Sequence, residues 1–244
     1  MASKSETGHA NNVASLEKMI LFIKTFIPTY NPSRDAMKIP QLEILYDRAL
    51  TALEDVIRKN SEYNDSVNKR KKAFAQLKPF ATRLISGLKI TNASKEALED
   101  AQGFNRKLNG RRASATSKTT LELTEPAAIR YSTSQQSYIQ QVQHFAALVA
   151  VLENEPSYAP NEIEFQIATL HDMRRDLAAK NTEVHTNYTL VHYARMQRNN
   201  LFYKVENNLY DIATQVKEYI KMKFGTKSAE YAAMRTFKFN AFRA

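Results

Sequence analysis

The chain has 244 residues, 43% of them apolar, enough for one large domain or two small ones with a core of their own. Five glycines and seven prolines argue against a turn-rich all-β fold, and the absence of cysteine removes disulfides, thiolate metal sites and cysteine nucleophiles. A net charge of +10 attracts phosphate backbones, anionic lipid surfaces or acidic proteins without choosing among them.

Residues 1–12 are polar and read as an N-terminal tail. The N-terminal apolar run, residues 19–23, is closed by Lys24 and followed by no small-residue cleavage site, so neither a signal peptide nor a membrane span is expected, and the chain is read as cytoplasmic. Residues 13–104 read as a first helical unit. Val13, Leu16, Met19, Ile20 and Ile23 follow the i, i+3, i+4, i+7 rule and predict a helix. Pro28 and Pro32 stop it and reset the chain direction. A long helix follows with two apolar columns, Leu42, Ala49, Val56, Tyr63, Leu77 and Ile39, Tyr46, Leu53, Val67, Phe74. A third helix near 79–89 and a short terminal segment ending at Phe104 complete the unit. Residues 105–130, rich in Ser, Thr, Arg and Lys, read as a linker.

Residues 131–244 read as a second unit. Ser132 or Thr133 is expected to cap its first helix, with Gln135 or Gln136 reaching back, and Val142, Phe145, Leu148, Val149 and Leu152 form its apolar stripe. After Pro156 and Pro160, no Gly or Pro interrupts residues 161–204. One long helix is predicted there, with Ile163, Leu170, Leu177, Val184 and Val191 in one column and Ile167, Tyr188 and Phe202 in the next. An apolar repeat of 3.5 residues sustained this far predicts coiled-coil-like packing. A third helix near 206–224 carries Leu209, Ile212, Val216, Tyr219 and Ile220 and stops at Gly225.

The halves resemble each other. Pro28-Thr29-Tyr30-Asn31-Pro32 recurs as Pro156-Ser157-Tyr158-Ala159-Pro160, and at the same offset Ile39 aligns with Ile167, Leu42 with Leu170, Arg70 with Arg198, Phe74 with Phe202 and Leu84 with Ile212. Past a gap of about six residues, Ser94 falls on Ser228 and Glu96 on Glu230. The expected fold is all-α: an elongated helical bundle with long coiled-coil-like helices, internally duplicated as a tandem pair.

Chemistry is sparse. His171, His185 and His192 share one side of the long helix, but helical chelation needs i, i+3 or i, i+4 spacing. Glu153 and Glu155 precede the proline turn, and Glu162 and Glu164 suit the first turn of a helix. No zincin, di-iron, phosphate-loop or nucleophile-elbow pattern accompanies them, so no catalytic residue, metal or cofactor is expected. The positive excess lies mainly in the first half. Lys69, Arg70, Lys71 and Lys72, with Lys78 and Arg83, form one cluster; Arg106, Lys107, Arg111 and Arg112, with Lys118, form another. Each fits a solvated surface or an anion or nucleic-acid contact. Arg70 and Arg198 occupy core-column positions and read either as buried ion-pair arginines or as side chains that snorkel outward. Asn60 and Asn181 are candidates for setting helix register. Phe237, Phe239 and Phe242 put apolar surface near the chain end, to dock within the fold or on another subunit.

The segment Arg130-Tyr131-Ser132-Thr133-Ser134-Gln135-Gln136-Ser137, the turn Tyr158-Ala159-Pro160-Asn161-Glu162 and the run Ala178-Ala179-Lys180-Asn181-Thr182 resemble an uncharacterised family of helical proteins in Bacteroidetes genomes. The resemblance covers roughly residues 130–240; it implies the helical fold and brings no known activity. The expected function is a non-catalytic structural or interaction module, self-associating as a homo-oligomer or filament. The alternative is a nucleic-acid-associated protein using the basic clusters of the first half. A third reading, membrane insertion after rearrangement, is opposed by the lack of a continuous apolar hairpin.

Overall fold

A computed structural model of the chain describes residues 4–110 and 136–241. Among them every regular element is helical. The order is α1 (Lys4–Lys24), α2 (Ile39–Phe74), α3 (Leu77–Lys89), α4 (Lys95–Asn109), α5 (Tyr138–Glu153), α6 (Ile167–Asn199), α7 (Leu209–Phe224) and α8 (Ala229–Met234). Short 3-10 turns at Asp35–Met37 and Ile163–Phe165 precede the two long helices, and a π-helical turn at Asn200–Lys204 follows α6.

Local chemistry sets these boundaries. Pro40 and Pro79 lie in the first turns of α2 and α3, where a missing N–H leaves no intrahelical bond unmade. Ser94, Ser137, Asn208 and Ser228 cap α4, α5, α7 and α8, each accepting a backbone N–H three residues on. The cap of α5 is thus Ser137 with Gln140, five residues beyond the expected Ser132; residues 132–135 lie outside the described residues. Gly110 ends α4 in the left-handed region at φ 71°, its N–H returning to the Arg106 and Lys107 carbonyls.

The described part of the expected tail is helix. α1 begins at Lys4 and buries His9 and Asn12, because its inward stripe extends a full turn and more before Val13. The expected short segment before Phe104 is the 15-residue helix α4, which takes in the first residues read as linker. α6 starts only at Ile167, leaving Ile163 exposed in the 3-10 turn, while Leu170, Leu177, Val184 and Val191 are buried as the column predicts.

Two compact units result, and they are not the two sequence halves. Unit 1 joins residues 1–63 to 187–244, and unit 2 comprises residues 64–186. In unit 1, Leu16, Met19, Ile20 and Ile23 of α1 and Leu42, Leu45 and Ala49 of α2 share a core with Phe202 and with Leu209, Ile212, Val216 and Ile220 of α7. In unit 2, Phe74 and Leu77, Ala81, Leu84 and Leu88 of α3 share one with Phe145, Leu148, Val149 and Leu152 of α5 and with Leu170 and Leu177. Each core therefore takes its first helix from one half of the sequence and its third from the other.

Positions nonetheless correspond between the halves. The 3-10 turns and the starts of α2 and α6 coincide at the 128-residue offset. Tyr30 donates its hydroxyl to the Met37 carbonyl at 2.7 Å, and Tyr158 donates to the Phe165 carbonyl at 3.1 Å. The pairing of Leu84 with Ile212 needs correction. After Phe202 the chain spends four more residues than after Phe74 before the next helix, so the buried pattern pairs Leu77 with Leu209, Ala81 with Ala213, Leu84 with Val216 and Leu88 with Ile220.

Candidate functional site

The first basic cluster lies at the end of α2, in unit 2. Lys69 is ion-paired to Asp65 at 2.8 Å and stands 3.9 Å from Glu183, and the hydrogen bond to Asp65 raises its pKa. Arg70 lays its guanidinium over the Tyr138 ring at 4.3 Å, and Tyr138 packs edge-on against buried Phe74 at 4.7 Å. Of the two readings of Arg70, the ion pair does not form; a cation–π contact stands in its place, with Nε buried and without a hydrogen bond. The column turns past an aromatic ring here and meets no carboxylate. Lys71 and Lys72 are exposed in the last turn of α2, where positive charge complements the helix dipole.

The second cluster sits likewise in the last turn of α4. Arg106 and Lys107 are exposed, and Lys107 Nζ lies over the Phe104 ring at 5.2 Å. Arg111 and Arg112, with Lys118, lie outside the described residues. Gln136 ties members of both clusters together: its amide oxygen accepts from Lys78 Nζ at 2.9 Å and its amide nitrogen donates to the Lys107 carbonyl at 2.7 Å. Around the start of α5 the fold thus gathers Arg70, Lys78 and Lys107. Burial, then the charge of Lys107, lowers the pKa of the neighbouring His144.

Unit 1 places a polar knot at the corresponding position. His9 Nδ1 lies 2.8 Å from the Tyr203 hydroxyl, which also accepts from Asn12 Nδ2 at 3.1 Å. The His9 ring stands edge-on to Phe202 at 5.8 Å, as Tyr138 stands to Phe74. Arg198 is buried and donates from Nε and Nη2 to Asn199 Oδ1 at 3.2 and 2.9 Å. Burial raises the pKa of Tyr203, which Arg198 and Asn12 partly offset. Neither His9, Asn12 nor Tyr203 was singled out by sequence. The available signal was Asn12, a polar residue in line with Leu16, Met19 and Ile23.

This knot holds the chain end. Asn12 donates from Nδ2 to the Asn240 carbonyl at 3.0 Å and accepts the Asn240 N–H at 2.7 Å, and Ser15 donates to the Lys238 carbonyl at 2.8 Å. Phe237 packs against Phe22 at 5.8 Å, and Phe239 lies under Lys217 Nζ at 4.9 Å. Of the two readings of Phe237 and Phe239, the structure shows docking within the fold: both are half-buried against the core of their own unit. Phe242 lies outside the described residues.

The remaining candidates scatter. His171 meets Glu153 at 3.3 Å, and His185 and His192 are exposed on α6. Glu155 accepts from Ser157 and from the Ser94 N–H, bonds that lower its pKa; Glu164 pairs with Arg83 at 2.6 Å. Asn181 is buried with its Oδ1 unbonded, and Asn60 is half-buried. No group of three or more His, Cys, Asp or Glu side chains among the described residues is placed to hold a metal ion. No described helix is long and apolar enough to cross a membrane. No family model, curated protein or solved structure matches the chain.

Proposed function

We propose that the chain is a non-catalytic structural or protein-interaction module, built from two copies of one helical unit, that self-associates into a homo-oligomeric or filamentous assembly. The observation that carries this reading is one face of α6 in unit 1. Leu190, Tyr193 and Met196 follow at three-residue spacing and are 37%, 58% and 47% exposed. Three large apolar side chains in a row on one helix face form a patch that a second copy would remove from water. The buried polar groups, by contrast, are spent on tying segments together, as in the knot of His9, Asn12 and Tyr203.

Light scattering after size exclusion tests it. The wild type is expected to exceed the 27.9 kDa of one chain and to hold its mass in high salt, because the contact is apolar. Replacing Leu190, Tyr193 and Met196 by Glu together should return the single-chain mass. A monomeric wild type overturns the proposal.

A second reading is supported by Lys71, Lys72 and Arg106, exposed cations that carry no ion pair among the described residues. Nucleic-acid binding through them would weaken steeply with salt, and each lost phosphate contact would reduce the slope of log K against log salt by about 0.9 on duplex DNA. An unchanged slope in Lys71→Ala/Lys72→Ala/Arg106→Ala removes this reading.

A further inference from the structure

A groove of about 650 Å³ opens in unit 2 between α3 and the turn that leads into α6. Gly87, Ile90 and Thr91 line one side, and Tyr158, Pro160 and Phe165 the other. Its size is that of a small-ligand site, and its lining mixes apolar rings and aliphatic groups with nearly as much polar surface. Ile90 on its rim is 89% exposed, the most exposed of the large apolar side chains described.

The matching place in unit 1 is filled, and what fills it identifies the ligand. Tyr30 corresponds to Tyr158: both are buried, and each hydroxyl is held by a carbonyl seven residues on. Against Tyr30 stands Tyr219 of α7, edge-on with ring centroids 5.2 Å apart. The Tyr219 hydroxyl accepts the Asn31 N–H at 3.2 Å, so the ring both covers Tyr30 and caps a backbone donor of the turn. The register that pairs Leu84 with Val216 and Leu88 with Ile220 pairs Tyr219 with Gly87. A Cβ on Gly87 would lie 3.9 Å from Tyr158 Cε2, an ordinary contact, so Gly87 looks directly onto the ring that Tyr219 covers in the other unit. Ala159 stands where Asn31 stands, and its N–H makes no hydrogen bond among the described residues.

Unit 2 therefore keeps the tyrosine wall and the backbone donor of unit 1 and lacks only the hydroxyphenyl group between them. Gly87 is helical, with no positive φ, so no backbone conformation calls for glycine there. Its effect is to leave the space open, in a helix that an ordinary side chain would favour by about 1 kcal/mol. The far wall is fixed: Phe80 and Phe165 stack at 5.7 Å, and Arg83 lies over Phe165 at 4.7 Å while bridging to Glu164 at 2.6 Å. We infer that this groove binds a para-hydroxyphenyl group supplied from outside the unit, its ring edge-on to Tyr158 and its hydroxyl accepting the Ala159 N–H. Two sources offer that chemistry, a free phenol and a tyrosine side chain of another polypeptide.

The test titrates the full chain with p-cresol and with N-acetyl-L-tyrosinamide, with toluene and N-acetyl-L-phenylalaninamide as the hydroxyl-free counterparts, following the Ala159 amide and the Ile90 methyls by NMR. Saturable shifts at both positions in the millimolar range are expected, with toluene about fivefold weaker than p-cresol for want of one hydrogen bond. Tyrosinamide binding at least as tightly as p-cresol assigns the site to a tyrosine side chain; p-cresol binding with tyrosinamide excluded assigns it to a free phenol. Gly87→Tyr should abolish the shifts while circular dichroism stays unchanged, because it installs the side chain that unit 1 already carries. Gly87→Met, a filling variant without a ring, should do the same if the tyrosine fails to fold. No saturable shift with either phenol, equal binding of toluene, or shifts that survive in a folded filling variant would overturn the inference.

Discussion

Asn12 is the test of how the chain end is held. It is fully buried, and three hydrogen bonds converge on its amide: two with the backbone of Asn240 and one to the Tyr203 hydroxyl. Asn12→Ala removes all three. A net hydrogen bond is worth about 0.5–1.5 kcal/mol, so three bonds bracket a loss of about 1.5–4.5 kcal/mol. The structure argues for the lower part of that range. Asn240 is exposed and its backbone groups recover water, and the Tyr203 hydroxyl keeps its bond to His9 at 2.8 Å. About 2 kcal/mol is the expected cost. Urea unfolding of the full chain measures it, and hydrogen exchange at the Asn240 amide reports where it falls. Asn12→Leu restores the volume without the bonds and should regain less than half of the loss, whereas Ser15→Ala, at an exposed bond, should cost about 0.5 kcal/mol or less. If Asn12→Leu is as stable as the wild type, or if the Asn240 amide exchanges equally fast in both, Asn12 fills space and ties nothing.

Acid should act on unit 2 through His144. Burial and Lys107 lower its pKa, so the folded state binds its proton less readily than the unfolded chain. Its contribution is present above the unfolded value near 6.5 and is lost as pH falls through that value towards the folded one. Thermal melts from pH 7.5 to 5 should show a decline that is shallower in His144→Gln; parallel declines would refute the assignment. The division of the cores predicts a second result. Residues 1–120 and 121–244, produced together as separate chains, should copurify in equal amounts, because each unit takes helices from both. Halves that purify apart, each with full helical circular dichroism, would contradict it.

The helices were legible in the sequence because apolar spacing and proline positions are local signals. Leu170, Leu177, Val184 and Val191 are buried as their spacing required, and the aligned residues Ser94 and Ser228 both turn out to be caps. What escaped was set by contacts distant in sequence. His9 and Asn12 look like tail residues until Tyr203 and Asn240 are brought to them, more than 190 positions away. Arg70 stayed open between an ion pair and an outward-snorkelling side chain because its ring partner, Tyr138, lies in the other half of the chain. The basic clusters were legible as charge, but their convergence on Gln136 was not, since it depends on where α5 begins.

The mixed composition of the cores has a cause in the long helices themselves. α2 has 36 residues, about 54 Å at 1.5 Å per residue, and α3 only 13, about 20 Å. α1 packs on the first turns of α2, at Leu42, Leu45 and Ala49, and no Gly or Pro interrupts residues 41–78. α2 runs from unit 1 into unit 2, so its first turns share a core with α1 while α3 joins the other core, and each half of the sequence completes the other's core. Corresponding positions of the two halves therefore sit in different cores and meet different neighbours. Tyr219 and Gly87 show the consequence: the same place in the pattern seals one unit and opens the other.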